Sequence, residues 1–218
     1  MFPGPGFHSG VRWGDYTRTD VDPSDGLSFW HINQYAPNGT WHTRIGKFRM
    51  STPLALTSAV SRRVHGSAGT FDISLPGVEC RSGDPTIAVI FTNNVVSGTA
   101  VVTSGVGTVS NTSFSGNTMT INLSGVATAQ RLVVTLNNVM DALGQTLPQT
   151  SIILSMLIGD SSGNGAVNAS DVALTKAATG QTVTASIVRN DVNANGSINA
   201  ADVTIVKQHS GQSLPPGD

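Results

Sequence analysis

One twelve-residue pattern is written twice near the end of the chain. The first copy reads Asp160-Ser-Ser-Gly-Asn164-Gly165-Ala-Val-Asn168-Ala-Ser-Asp171, and the second reads Asp191-Val-Asn193-Ala-Asn195-Gly196-Ser-Ile-Asn199-Ala-Ala-Asp202. The copies lie 31 residues apart throughout, and the offset continues past them, carrying Lys176 onto Lys207, Gly180 onto Gly211 and Gln181 onto Gln212. A repeat in such strict register predicts one small supersecondary unit used twice.

Each copy has the chemistry of a calcium loop. A hard cation takes six to eight oxygens, and a twelve-residue loop supplies them from positions 1, 3, 5, 7, 9 and 12, with Gly at 6 for the sharp turn. In the first copy those positions are Asp160, Ser162, Asn164, Ala166, Asn168 and Asp171, and in the second Asp191, Asn193, Asn195, Ser197, Asn199 and Asp202. Position 7 contributes a backbone carbonyl, so Ala166 and Ser197 are free to differ. Asn168 and Asn199 stand where a ligand often acts through water, and an Asp closes each loop where an EF-hand uses a Glu. Val167 and Ile198 fall between ligands, placed to pair the loops through a small core. The competing reading is that Asp, Asn and Gly simply make turns. Two loops in register, each followed by an apolar helical stretch, favour two calcium ions.

These residues resemble the type I dockerin domain, a pair of loop–helix calcium motifs without the incoming helix of an EF-hand. The resemblance covers about 159–214 and implies helices near 169–179 and 200–210. It also implies a cohesin as protein partner, recognised in cellulosomal dockerins largely through a Ser-Thr-type pair at loop positions 10 and 11. Here those positions hold Ala169-Ser170 and Ala200-Ala201, and Lys176 and Lys207 are the nearby cations that repeat. Upstream, Ser151-Ile-Ile-Leu-Ser-Met-Leu-Ile158 is short and β-branched at its start, which reads as a strand rather than a helix.

Charged residues make up only 11% of the 218, with 24 Gly and many Ser, Thr, Asn and Val, the profile of a secreted, turn-rich β protein. A net charge of −1 gives no basic field for nucleic acid, and no apolar run approaches the ~20 residues that span a bilayer. Met1-Phe-Pro-Gly-Pro-Gly-Phe7 has neither the basic start nor the apolar core of a signal peptide. The expectation is therefore a C-terminal piece of a longer secreted protein. Cys80 is the only cysteine, so no internal disulfide forms, and it reads as a small buried hydrophobe.

Residues 1–50 read as a β-hairpin, with strand-like runs on both sides of Pro37-Asn-Gly39. The Asp22-Pro-Ser-Asp25-Gly26 turn and the strand after it resemble the last blade of sialidase-like β-propellers over about 10–49. All three tryptophans, Trp13, Trp30 and Trp41, lie here and read as core aromatics of such a blade, with a carbohydrate platform as the alternative. Asp15, Asp20, Asp22 and Asp25 read as a solvated turn in preference to a metal site. Residues 51–58 read as a linker or lead-in strand, since Pro53 disfavours a central strand.

Residues 59–158 carry about seven strand candidates: 70–75, 86–92, 99–103, 107–110, 119–123, 131–136 and 151–157. Phe71–Leu75 and Met119–Leu123 alternate clearly, and Ser115-Gly-Asn117 marks a hairpin turn. The number of strands suggests a sandwich. Ile90–Gly98 and Asn137–Gly144 resemble parts of bacterial immunoglobulin-like adhesion and cell-wall modules, implying a spacer or binding role. The fold class expected is thus mainly β, an Ig-like β-sandwich (59–158) followed by a small helical double calcium-loop domain (159–214), an N-terminal hairpin segment before them and a short tail (215–218) after.

Catalytic signatures are missing from the sequence. Glu79 is the only Glu, the five histidines follow no metalloenzyme spacing, and there is no G-x-S-x-G, P-loop or dinucleotide fingerprint. His31 and His42 are candidates to face each other across the hairpin as zinc or copper ligands. His65-Gly66-Ser67-Ala-Gly69 reads as a Gly-rich turn before the Phe71 strand. The main expectation is a secreted, non-catalytic calcium module for structure, attachment or assembly, self-association through the hairpin included. The alternatives are a cohesin-binding or polysaccharide-binding accessory module, and an enzyme with its site at the hairpin.

Overall fold

A computed structural model describes residues 17–36 and 39–216. The chain forms two units that divide between Thr52 and Pro53.

In the first unit three antiparallel strands lie in the order β1 (Arg18–Val21), β2 (Ser28–Tyr35), β3 (His42–Arg49). The expected hairpin is β2–β3, with Tyr35 opposite His42. Pro37 and Asn38 of its turn lie outside the described residues. The additional strand β1 is folded back by the Asp-rich turn. There Asp22 N–H donates to Ser28 O, and the Asp25 carboxylate accepts from the amides of Leu27 and Ser28. A short aspartate accepting from amides two and three residues on closes a turn by itself.

The second unit contains two sheets that share one core. Five strands run in the order β5 (Gly69–Leu75), β4 (Leu56–His65), β7 (Thr86–Phe91), β10 (Thr118–Ser124), β9 (Thr108–Ser115). Four more run β6 (Gly77–Glu79), β12 (Thr150–Met156), β11 (Gln130–Asp141), β8 (Val95–Ser104), with β6 and β12 parallel. Every second residue of β10 is buried, so Met119, Ile121 and Leu123 face Leu132, Val134, Ile152 and Leu154 of the other sheet in one hydrophobic cluster. The sandwich reaches further upstream than expected. Leu54 is buried in this core, and β4 starts at Leu56, so Pro53 stands just outside the strand.

The site is delivered by β12 and β6. After Met156 the chain stays bound to the end of β6, with Leu157 N–H donating to Glu79 O and Gly159 N–H to Cys80 O. Asp160 follows at once. Two helices close the unit, α1 (Ala169–Ala178) and α2 (Ala200–Gln208), each starting where the repeat predicts. Val167 and Ile198 do not share a core. Val167 packs in a cluster with Val192 and Val206, whereas Ile198 packs with Ala178, Val183 and Val188. The two halves of the repeat pack crosswise, so each loop's apolar residue clusters with the other half's helix. The mainly β architecture with its small two-helix C-terminal module is as the sequence indicated.

Candidate metal centre

In the first loop the Asp160 carboxylate is fully buried. Its Oδ1 accepts from Gly163 N–H (2.8 Å), Asn164 N–H (3.1 Å) and the Ser162 hydroxyl (3.1 Å), and its Oδ2 from Gly165 N–H (2.8 Å). Asp171, also fully buried, accepts from Ser162 N–H and Asn168 N–H, both at 2.9 Å. Two carboxylates thus converge around Ser162. Among the described residues no lysine, arginine or histidine forms an ion pair with either.

The second loop repeats the plan. Asp191 accepts from Asn195 N–H (3.2 Å) and Gly196 N–H (2.8 Å), and Asp202 from Asn193 N–H (3.1 Å) and Asn199 N–H (2.9 Å). Both carboxylates are fully buried. Asp191 has one partner that Asp160 lacks, the Nδ1 of His65 at 2.8 Å.

Sequence reasoning did not reach a second role of the closing residues. Asn168 Oδ1 accepts from Ser170 N–H and Asn199 Oδ1 from Ala201 N–H, while Asp171 and Asp202 reach back to the amides of Asn168 and Asn199. These are reciprocal caps on α1 and α2. Both aspartates also stand at a helix N-terminus, where negative charge is favoured. The signal was present in the Asn-x-x-Asp spacing.

This donor set fits calcium. It is all oxygen, from carboxylates, amides and a hydroxyl, which suits a hard cation and not zinc or copper. A buried carboxylate is costly without a counter-charge, and each loop buries two. Among the described residues no three His, Cys, Asp or Glu side chains gather where they could hold a metal ion, so each loop offers two carboxylates and takes its other oxygens from amides, the backbone and, in the first loop, a hydroxyl.

A polar network stands behind the second loop. Glu79 and Arg81 are fully buried and paired, Arg81 Nη2 to Glu79 Oε2 at 2.6 Å and Nε to Oε1 at 2.8 Å, and the Ser61 hydroxyl also donates to Glu79. Burial pushes the Glu79 carboxyl up, but the hydrogen bonds and charge of Arg81 outweigh it and hold it below the usual range. Burial likewise pushes the His65 imidazole down, against the pull of Asp191. Cys80, fully buried beside this pair, has its thiol pushed up to about 12 by burial first and the Glu79 charge second.

The first-unit candidates are arranged otherwise. His31 stands opposite Gly46 and hydrogen-bonds Thr19 Oγ1 at 2.8 Å, whereas His42 stands opposite Tyr35. They occupy different positions along the sheet and do not face each other. Asp22 accepts from Ser24, Trp30 Nε1 and Lys47 Nζ, and so organises the turn. Asp15 and Trp13 lie outside the described residues. Trp30 and Trp41 are both exposed, but Trp41 is one residue beyond the Tyr35–His42 pair. That places it roughly 20 Å along the strand from Trp30, at about 3.3 Å per residue.

Residues 158–209 match the family model of the dockerin type I domain. The β-rich region before it matches no identified family, and no curated protein and no solved structure matches the chain. Dockerin type I domains typically bind calcium, take a cohesin as protein partner and occur in extracellular cellulosomal proteins. Among the described residues no helix is long and apolar enough to cross a membrane.

Proposed function

We propose that the chain is a calcium-dependent docking piece of an extracellular assembly, whose dockerin module takes a cohesin-type protein partner. The observation that carries this reading is a repeated exposed helical face. Ser170, Ala173, Lys176 and Ala177 of α1 are exposed, and so are their counterparts Ala201, Thr204, Lys207 and Gln208 of α2. The face carries small residues, one lysine per half, Gln208 and, between Ala173 and Lys176, the exposed Leu174, which suits a partner surface with an apolar centre and carboxylates at its rim.

In this reading the first calcium is held by Asp160, Ser162, Asn164, Asp171 and the Ala166 carbonyl, with Asn168 behind them. The second is held by Asp191, Asn193, Asn195, Asp202 and the Ser197 carbonyl, with Asn199 behind them. Calcium supplies the positive charge that two buried carboxylates per loop require. Because Asp171 and Asp202 also cap the helices, ordering of the loops and of the partner face is one event, and metal-binding free energy becomes folding free energy. The sandwich, of the Ig-like kind, acts as a non-catalytic spacer.

The test is pull-down of the purified chain against a panel of cohesin domains, with calcium and with EGTA. Capture in calcium, lost in EGTA and weakened at least tenfold by Lys176→Glu with Lys207→Glu, supports the reading. Equal behaviour of the charge-reversed and unsubstituted chains would remove the helical face from it.

A further inference from the structure

The two loops are near copies in sequence, but the structure breaks their equivalence. Around Asp160 all four hydrogen bonds come from within the loop, one of them from the Ser162 hydroxyl. Position 3 of the second loop is Asn193, whose side-chain oxygen is turned to Asn195 N–H at 3.0 Å. Where the first loop uses its own hydroxyl on the leading aspartate, the second uses His65, 126 residues away at the end of β4.

His65 is held so that it can do only one thing. Its ring is fully buried, with Nε2 3.0 Å from Arg81 Nη1. A guanidinium has donors and no acceptor, so Nε2 accepts, the ring proton sits on Nδ1, and Nδ1–H donates to Asp191. Arg81 is fixed in turn, because all five of its side-chain N–H groups are used. Nε and one Nη2 hydrogen go to Glu79, the other Nη2 hydrogen to Ser61 O (2.9 Å), and the two on Nη1 to His65 and Phe71 O (3.1 Å).

The backbones are fitted to each other as well. A Cβ on Gly66 would stand 2.1 Å from Asn195 O, and a Cβ on Gly196 would stand 2.6 Å from His65 O. Only glycine at both places lets the second loop lie against the turn that follows β4. Ser82 N–H, just past Arg81, donates to Val192 O at 2.7 Å.

We infer that His65 is a positioning residue for the second calcium site, so that the sandwich supplies the outer hydrogen-bond shell of one loop and not of the other. The inference rests on the calcium reading proposed above. A neutral donor on Asp191 Oδ2 orients the carboxylate and leaves it its full charge, as hydrogen-bonded metal-ligating carboxylates are commonly held. Linkage then makes the effect mutual. Calcium in the second loop tightens the loop's seat on β4, and an intact seat raises calcium affinity by the same factor.

The experiment is calcium titration calorimetry on the full chain, with His65→Leu placed in two backgrounds. Asp160→Ala leaves the second loop to titrate, and Asp191→Ala leaves the first. His65→Leu is expected to weaken calcium binding roughly 10- to 100-fold in the Asp160→Ala background and to change it little in the Asp191→Ala background. His65→Asn, whose side-chain amide offers a donor near the place of Nδ1, should recover most of the loss. Equal losses in both backgrounds, or none in Asp160→Ala, overturn the inference. If His65→Leu does not fold, nitrogen-15 NMR of His65 in the single aspartate variants decides. The Nδ1–H resonance should move with calcium in Asp160→Ala and stay in Asp191→Ala, and a stationary resonance in both overturns it. Failure of the unsubstituted chain to bind calcium at all overturns this inference and the calcium reading together, whereas failure of the His65 arms alone leaves the calcium reading standing.

Discussion

The amide of Gly211, which follows the last turn of α2, donates to the carbonyl of Val167 in the first loop at 2.8 Å. Its counterpart Gly180, after α1, donates to Ile198 in the second loop at 2.9 Å. Each loop is thus closed by the glycine that ends the other helix. Both glycines are left-handed, at φ +91° and +80°, and a Cβ on either would meet nothing within 4 Å. Alanine at either should cost only the backbone strain, about 1–2 kcal/mol, and nearly the same at both. Gly66→Ala, which must move the Asn195 carbonyl, should cost roughly 3 kcal/mol. Urea unfolding in saturating calcium measures all three, and a Gly66→Ala cost no larger than the other two would refute the fitted seat.

Calcium removal should destabilise the second unit in two steps. Each site saturated at a hundred times its dissociation constant contributes about 2.7 kcal/mol. The melting temperature should therefore fall in EGTA, with Asp160→Ala and Asp191→Ala each removing part of the difference and the double variant all of it. Scanning calorimetry with and without EGTA checks this. An unchanged transition would mean that the loops are turn chemistry alone.

The repeated turns and the helices after them were legible because the residues that define them lie within twelve consecutive positions and recur 31 residues on. The contact of His65 with Asp191 was not legible, since it joins residues 126 apart and His65 sits in a sequence that reads as a plain glycine turn. The chain's only Glu, Glu79, two residues from Arg81, was the available hint of a buried charge pair. Strand β4 escaped for another reason. Its run Leu56–His65 carries Ser, Thr and two arginines and buries only Ala59, Ser61 and His65, so it shows no hydrophobic alternation. Strand β1 has four residues, all exposed. Its existence depends on the Asp22–Asp25 turn and not on its own pattern.

Cys80 offers a reporter of how the dockerin module is seated. Its carbonyl accepts from Gly159 N–H, and its thiol lies 3.5 Å from the Arg189 carbonyl. With the thiol pushed up to about 12 by burial, the reactive thiolate is scarce at pH 8. Alkylation by iodoacetamide should be very slow in calcium and at least tenfold faster in EGTA, as the junction opens. Labelling followed by mass spectrometry gives both rates, and equal rates would show that calcium does not hold the module against β6.

The first unit should unfold in acid, and the sign follows from its two turn aspartates. Hydrogen bonds from Lys47 first, then Ser24, hold the Asp22 carboxyl well below the usual range despite its burial, and Asp25 is pushed down to about 2 by the amides of Leu27 and Ser28 and the Ser28 hydroxyl. Both folded values lie below the unfolded value of about 3.9. The unfolded chain therefore binds protons first, and the stability these groups contribute is complete above about pH 4 and lost as the pH falls toward 2. Trp30, whose indole N–H donates to Asp22 at 2.9 Å, makes the change visible in fluorescence. Asp22→Asn should lower stability at pH 7, where Lys47 loses its anion, and should flatten the dependence between pH 4 and 2. A variant that melts at pH 7 like the unsubstituted chain and keeps the full acid transition would show that the Asp22–Lys47 pair does not hold this sheet together.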